Sequence, residues 1–126
     1  MGYVKVKAVI SDPPKRHRKE MEFLADSGAS YLVVPTSIAE ELGLDEFAKK
    51  LGLGTIKVTL ADKREVEAQL TYAHIKLMGR EALPKAVVFD CPMPLLGAFT
   101  LQELGLEIDT VNEVVKESRP FSLGIM

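Results

Sequence analysis

A mostly β single domain with short helices is the fold class this sequence predicts, and three observations carry it. Apolar residues alternate with period two along most patterned runs, the mark of a strand with one buried face. Helical spacing never lasts beyond about two turns. The chain has 126 residues, 47% of them hydrophobic, which is enough for one core and short for two.

The elements follow in order. Tyr3 to Ile10 alternates and reads as a strand, broken by Ser11-Asp12-Pro13-Pro14. After the basic run Lys15 to Lys19, Glu20 to Ala25 alternates again, so the two segments form a hairpin with a solvated tip. Asp26-Ser27-Gly28-Ala29-Ser30 is a turn of small residues, and Tyr31 to Val34 is a short strand ended by Pro35. Thr36 is placed to cap a helix with Ile38, Ala39 and Leu42 on its apolar side and Gly43 as its stop. Asp45 to Leu51 reads as a second short helix. Thr55 to Leu60 and Val66 to Leu77 are strands around the turn Ala61-Asp62-Lys63-Arg64, and the second is long enough to pass its partner and enter another sheet. Lys85 to Phe89 is a compact strand, Ala98 to Leu104 a helix ending at Gly105, and Val114-Val115 a last strand.

The composition excludes several functions. A formal net charge of −2 gives no bulk attraction to nucleic acid. No run approaches the roughly 20 apolar residues of a membrane span. Met1 to Ile10 has no apolar leader core, and the single Cys91 cannot form an intrachain disulfide, so a cytoplasmic setting is expected. His17 and His74 are far apart and outside any metal-ligand spacing, so neither a metal nor another cofactor is expected.

Asp26 is the residue that points to chemistry. It is a carboxylate without bulky sequence neighbours, set at the end of the strand Phe23-Leu24-Ala25, where its environment can tune it. A turn-forming Asp would look the same in isolation. The second feature is Leu95-Leu96-Gly97, which follows a strand and opens a helix. Together, Ala25-Asp26-Ser27-Gly28-Ala29-Ser30 and Leu95-Leu96-Gly97-Ala98-Phe99-Thr100-Leu101-Gln102-Glu103-Leu104-Gly105-Leu106 resemble the paired signature of the retropepsin-like aspartic proteases, in their small prokaryotic single-domain branch. The resemblance runs from about Tyr3 to Asp109.

It implies a retropepsin-like single-lobe acid-protease fold over residues 1–126, with a closed, barrel-like sheet, a flap hairpin at about 55–72 and short helices. It implies an aspartic endopeptidase that cleaves extended polypeptide with Asp26 as the catalytic residue. Ser27, Gly28 and Ala29 would support the catalytic loop; Ser30, with Ala61, Asp62, Lys63 and Arg64 of the flap tip, would border the substrate; Leu95, Leu96 and Gly97 would thread through the loop and hold it. Two carboxylates sharing a proton are needed, yet Asp12, Asp45, Asp62, Asp90 and Asp109 all lack the motif. The second carboxylate must therefore come from another chain, most simply in a homodimer. The expected partners are a second copy and a protein or peptide substrate, without nucleic acid or membrane. Lys63 stands where this branch commonly has Gly and fits a type I′ turn poorly. The segment from about 110 to 126, ending Phe121-Ser122-Leu123-Gly124-Ile125-Met126, is either a dimer-forming strand or a flexible tail. The rival reading is a non-catalytic peptide-binding or oligomerisation module on the same scaffold.

Overall fold

The computed structural model of the chain describes residues 3–60 and 62–118. Its frame is the hairpin of β1 (Tyr3–Ser11) and β2 (Arg18–Asp26), paired antiparallel from Tyr3 opposite Asp26 to Ser11 opposite Arg18. Val4, Ala8 and Ile10 turn inward with Phe23 and Ala25, while Lys5, Lys7 and Glu22 stay in water. Buried Asp12 closes the connection by accepting the His17 N–H at 2.8 Å. The basic run is an exposed tip, with Lys15 and Lys19 paired to Glu81 and Glu41 at 3.1 and 3.2 Å.

The remaining strands of the main sheet are β3 (Leu32–Pro35), β4 (Thr55–Thr59), β5 (Glu65–Tyr72), β6 (His74–Leu77), β7 (Arg80–Ala82), β8 (Lys85–Phe89) and β9 (Leu95–Leu96). Their order is β4-β5-β8-β3-β9-β2-β1-β6-β7. The architecture is mostly β, as expected, but among the described residues the sheet is open, with β4 and β7 at its edges where closure was expected. The expected strand Val66–Leu77 divides at buried Ala73, whose N–H turns to the Pro84 carbonyl at 3.3 Å. Its halves pair at opposite sides of one sheet, β5 with β4 and β8, β6 with β1 and β7. The chain thus enters no second sheet at this point; one sheet curls until its two sides meet at Ala73.

Among the described residues, three helices cover the sheet: α1 (Thr36–Leu42), α2 (Leu44–Leu51) and α3 (Ala98–Leu104). Thr36 does not cap α1. Pro35 holds the cap position, still paired with Phe89 and in extended conformation, so strand passes directly into helix. α2 carries Asp45 and Glu46 in its first turn and Lys49 and Lys50 in its last, matching the helix dipole. The buried Thr71 hydroxyl donates to the Leu44 carbonyl at 3.1 Å and ties α2 to β5.

A two-stranded sheet follows α3, formed by β10 (Leu106–Asp109) and β11 (Val114–Glu117). Arg80 of β7 binds it to the helix. The Arg80 guanidinium is buried, donates to the Leu104 and Gly105 carbonyls, both at 2.9 Å, and pairs with Glu117 at 2.8 Å. A cation at a helix C-terminus satisfies orphan carbonyls and opposes the dipole. The end of the chain after residue 118 lies outside the described residues, as does the expected strand or tail at Phe121–Met126.

Arg80→Ala takes the guanidinium donor from the buried Leu104 carbonyl, whereas the Gly105 carbonyl keeps the Ser118 N–H at 2.9 Å. The substitution should lower stability by about 2–4 kcal/mol in urea unfolding. Glu117→Ala, which removes only the exposed partner, should cost under about 1 kcal/mol.

Candidate active site

Asp26 ends β2, and the small residues after it fold back onto it. The Gly28 N–H donates to Asp26 Oδ1 at 2.8 Å and the Ala29 N–H to the Asp26 carbonyl at 3.1 Å. A Cβ at Gly28 would lie 3.2 Å from that same Oδ1, so a side chain there would crowd the carboxylate from its donor. Asp26 is half-buried; Ser27, Gly28 and Ser30 are exposed around it.

The loop is held from behind by β9. Leu95 and Leu96 run parallel to Leu24 and Ala25 of β2, and Leu95 also pairs antiparallel with Val33 of β3. The Leu24 N–H donates to the Pro94 carbonyl at 3.0 Å. A two-residue strand is thereby inserted between the strands on either side of the Asp26 turn. Gly97 then passes so close that a Cβ would fall 2.4 Å from the Tyr31 carbonyl oxygen and 2.6 Å from that of Ser30. No side chain fits. Beyond it, the Ala98 N–H donates to the Ala29 carbonyl at 2.7 Å and the Phe99 N–H to the Ser30 carbonyl at 3.0 Å. Two amides without a partner inside α3 are satisfied by the Asp26 loop. Tyr31 and Phe99 meet edge-on, centroids 5.9 Å apart.

A cleft of about 520 Å³ opens in front of the carboxylate. Asp26, Gly28, Ala29 and Ser30 form one side; Val33, Val87, Phe89 and Leu95 supply an apolar wall, and β4 with Leu60 lies across it. Strands β3 and β8 divide their side chains by alternation. Leu32, Val34, Ala86 and Val88 fill the main core, whereas Val33, Val87 and Phe89 join Ile56, Val58 and Leu95 in a second apolar cluster at the cleft. Leu95 was expected as a support of the loop; Val33, Val87 and Phe89 were not foreseen as part of the site, because in unbroken apolar runs only strand pairing shows which side chains face the cleft. A second cavity of about 560 Å³, lined by Glu40, Asp45, Lys49, Glu67 and Asp90 among others, contains nothing of the Asp26 loop. Loop geometry, not volume, singles out the former.

The hairpin expected at about 55–72 is formed by β4 and β5, Thr55 opposite Gln69 to Thr59 opposite Glu65. Its turn differs from a two-residue type I′ loop. The Leu60 N–H donates to the Arg64 carbonyl at 2.8 Å, the Lys63 N–H to the Leu60 carbonyl at 2.9 Å, and Lys63 takes φ 69°. That is the left-handed position of a longer loop with a bulge, where Gly is favoured and another residue costs of order 1–2 kcal/mol. Asp62 opposes the strain: its carboxylate accepts the Arg64 N–H at 3.1 Å and Nε at 2.6 Å. Those bonds, the backbone one foremost, hold its pKa below the usual value. Ala61 lies outside the described residues.

Cys91 packs against the cleft cluster with Sγ 3.6 Å from the Met93 carbonyl. Burial, then the neighbouring Asp90, raises its pKa to about 11, which suits a packing thiol and not a nucleophile. Among the described residues, no group of three or more His, Cys, Asp or Glu could hold a metal ion, and no helix is long and apolar enough to cross a membrane.

Comparison with known proteins agrees with this geometry. The family model described as aspartyl protease matches residues 6–111. No curated protein matches the chain significantly. Among solved structures, EIAV protease complexed with the inhibitor HBY-793 superposes with a TM-score of 0.62, at 24% identity over 82% of this chain and 88% of that one. At that identity the likeness is one of fold.

Gly97→Ala should destabilise the protein by about 3 kcal/mol, because backbone must move to admit the methyl group; chemical denaturation measures it. At pH 8 only about one Cys91 in a thousand is thiolate, so iodoacetamide alkylation of the folded protein should be slow. It should accelerate about tenfold per pH unit up to about pH 11. A fast, pH-flat reaction between pH 7 and 9 would contradict the raised pKa.

Proposed function

Since the chain belongs to the aspartyl protease family, we propose that it is an aspartic endopeptidase that hydrolyses peptide bonds in extended polypeptide, using a dyad built from Asp26 of two chains and an activated water. One observation carries this reading: the Asp26 carboxylate is held by the Gly28 amide at the side of an apolar cleft with a β-hairpin across it. A lone carboxylate can act as a base. It cannot at the same time present the protonated acid that polarises the scissile carbonyl.

Two Asp26 side chains about 3 Å apart would share one proton, since like charges at that distance do not both ionise. The ionised member would take a proton from water as it attacks the carbonyl carbon. The protonated member would donate to the carbonyl oxygen, and the resulting diol would collapse with proton transfer to the leaving nitrogen. The pair titrates as a unit. Ser27, exposed at the turn, would grip the partner loop, and Gly28 and Ala29 would shape the carboxylate's support. The substrate would lie extended between Ser30 and the flap, bonded through its main chain to β4, the edge of the sheet among the described residues. Closure of the Asp62–Arg64 tip would exclude water. No cofactor enters this chemistry. The lone, half-buried Cys91 is in keeping with a reducing, cytoplasmic setting.

Asp26→Asn should lower kcat/KM on an unfolded protein substrate by at least about a thousandfold, with the parent most active in acid. Because each dyad draws on two chains, excess Asp26→Asn protein should also suppress the parent by forming mixed dimers. Equal cleavage by parent and variant would overturn the mechanism. Peptide binding without turnover at every pH would leave the non-catalytic module.

A further inference from the structure

We propose that Tyr3 is an anchor of the contact between two copies of this chain, standing beside the dyad and flanking the substrate cleft from the partner's side. The inference rests on the two-chain dyad proposed above. Antiparallel register sets Tyr3 directly opposite Asp26, with Val4 opposite Ala25 one step further in. Directly opposed residues share a face of the sheet, their Cβ atoms about 5 Å apart. Val4 and Ala25 are buried in the core, so Tyr3 and Asp26 project to the other side.

Tyr3 is 51% exposed and is not among the residues lining the chain's own cleft. A large aromatic ring thus stands in water one strand away from the carboxylate that needs a second copy of itself. If two Asp26 carboxylates lie about 3 Å apart across a two-fold axis, each Tyr3 falls within about 10 Å of that axis. It cannot then avoid the partner. The contact is isologous, so each cleft has both rings near it. Tyrosine suits the position, because it covers area at low entropic cost and keeps its hydroxyl at the wet rim. Buried tyrosines at the centre of an interface commonly dominate its energy. Lys5, next on the same face, is exposed and Leu24 opposite it is half-buried, so the ring is the exposed apolar group beside Asp26 on this surface.

Sedimentation equilibrium of the full chain tests the assignment. Tyr3→Ala should raise the dimer dissociation constant at least tenfold, Tyr3→Thr, which keeps a strand-forming residue, should do the same, and Tyr3→Phe should stay within about threefold of the parent. Turnover by Tyr3→Ala, lost on dilution, should return at high protein concentration, because Asp26 is untouched; a residue acting only in the chemistry would show no such return. A parent that dimerises while both ring-deleted variants dimerise equally well overturns the role of Tyr3 and leaves the dyad standing. A parent that is monomeric at every concentration overturns the dyad and Tyr3 together.

Discussion

The close passage of Gly97 beneath Ser30 and Tyr31 is the constraint on which the rest of the structure depends. A two-residue strand can sit between β2 and β3 only if the residue after it has no side chain. Once it does, the first amides of α3 reach the carbonyls of Ala29 and Ser30. The Asp26 turn is then fixed from two directions: by strand pairing along Leu24 and Ala25, and by helix amides at its far end. A loop on the surface would ordinarily be mobile. Here its backbone groups are drawn into the hydrogen bonding of the sheet and a helix, leaving the carboxylate displayed on a rigid base. Preorganised geometry of this kind is what acid–base chemistry requires.

The surroundings of that carboxylate follow from strand alternation. Three strands send alternate side chains to two different apolar clusters, one sealing the core and the other coating the cleft. The same valine-rich segments that stabilise the fold therefore make the cleft apolar, without any segment devoted to it. At the hairpin tip Asp62 and Arg64 are paired with each other, which holds the turn.

Most of this framework was legible in the sequence because it is written locally. Period-two alternation located the hairpins, Gly43 and Gly105 marked helix ends, and Asp26-Ser27-Gly28 with Leu95-Leu96-Gly97 pointed to the two segments that meet at the candidate site. What was missed depends on partners distant in the chain. Ala73 does not look like a break, since its role comes from burial against the Pro84 connection. Thr36 has the chemistry of a cap, but Pro35 is committed to its ladder with β8. β7 is three residues long, too short for a pattern, and Arg80 reads as an ordinary surface cation until the end of α3 is brought against it. Lys63 was recognised as ill suited to a tight turn, and the chain answers with a longer one.

The fastening of α3 at both ends has a mechanical consequence. Its amides at Ala98 and Phe99 grip the Asp26 loop, and its last carbonyls are gripped by Arg80, which also holds Glu117. Seven residues of helix span only about 10 Å, too short and stiff to bend. The helix therefore behaves as a strut: displacement of the β10–β11 hairpin cannot be absorbed along its length and is delivered to the backbone under Asp26. The β10–β11 hairpin and the carboxylate are members of one lever.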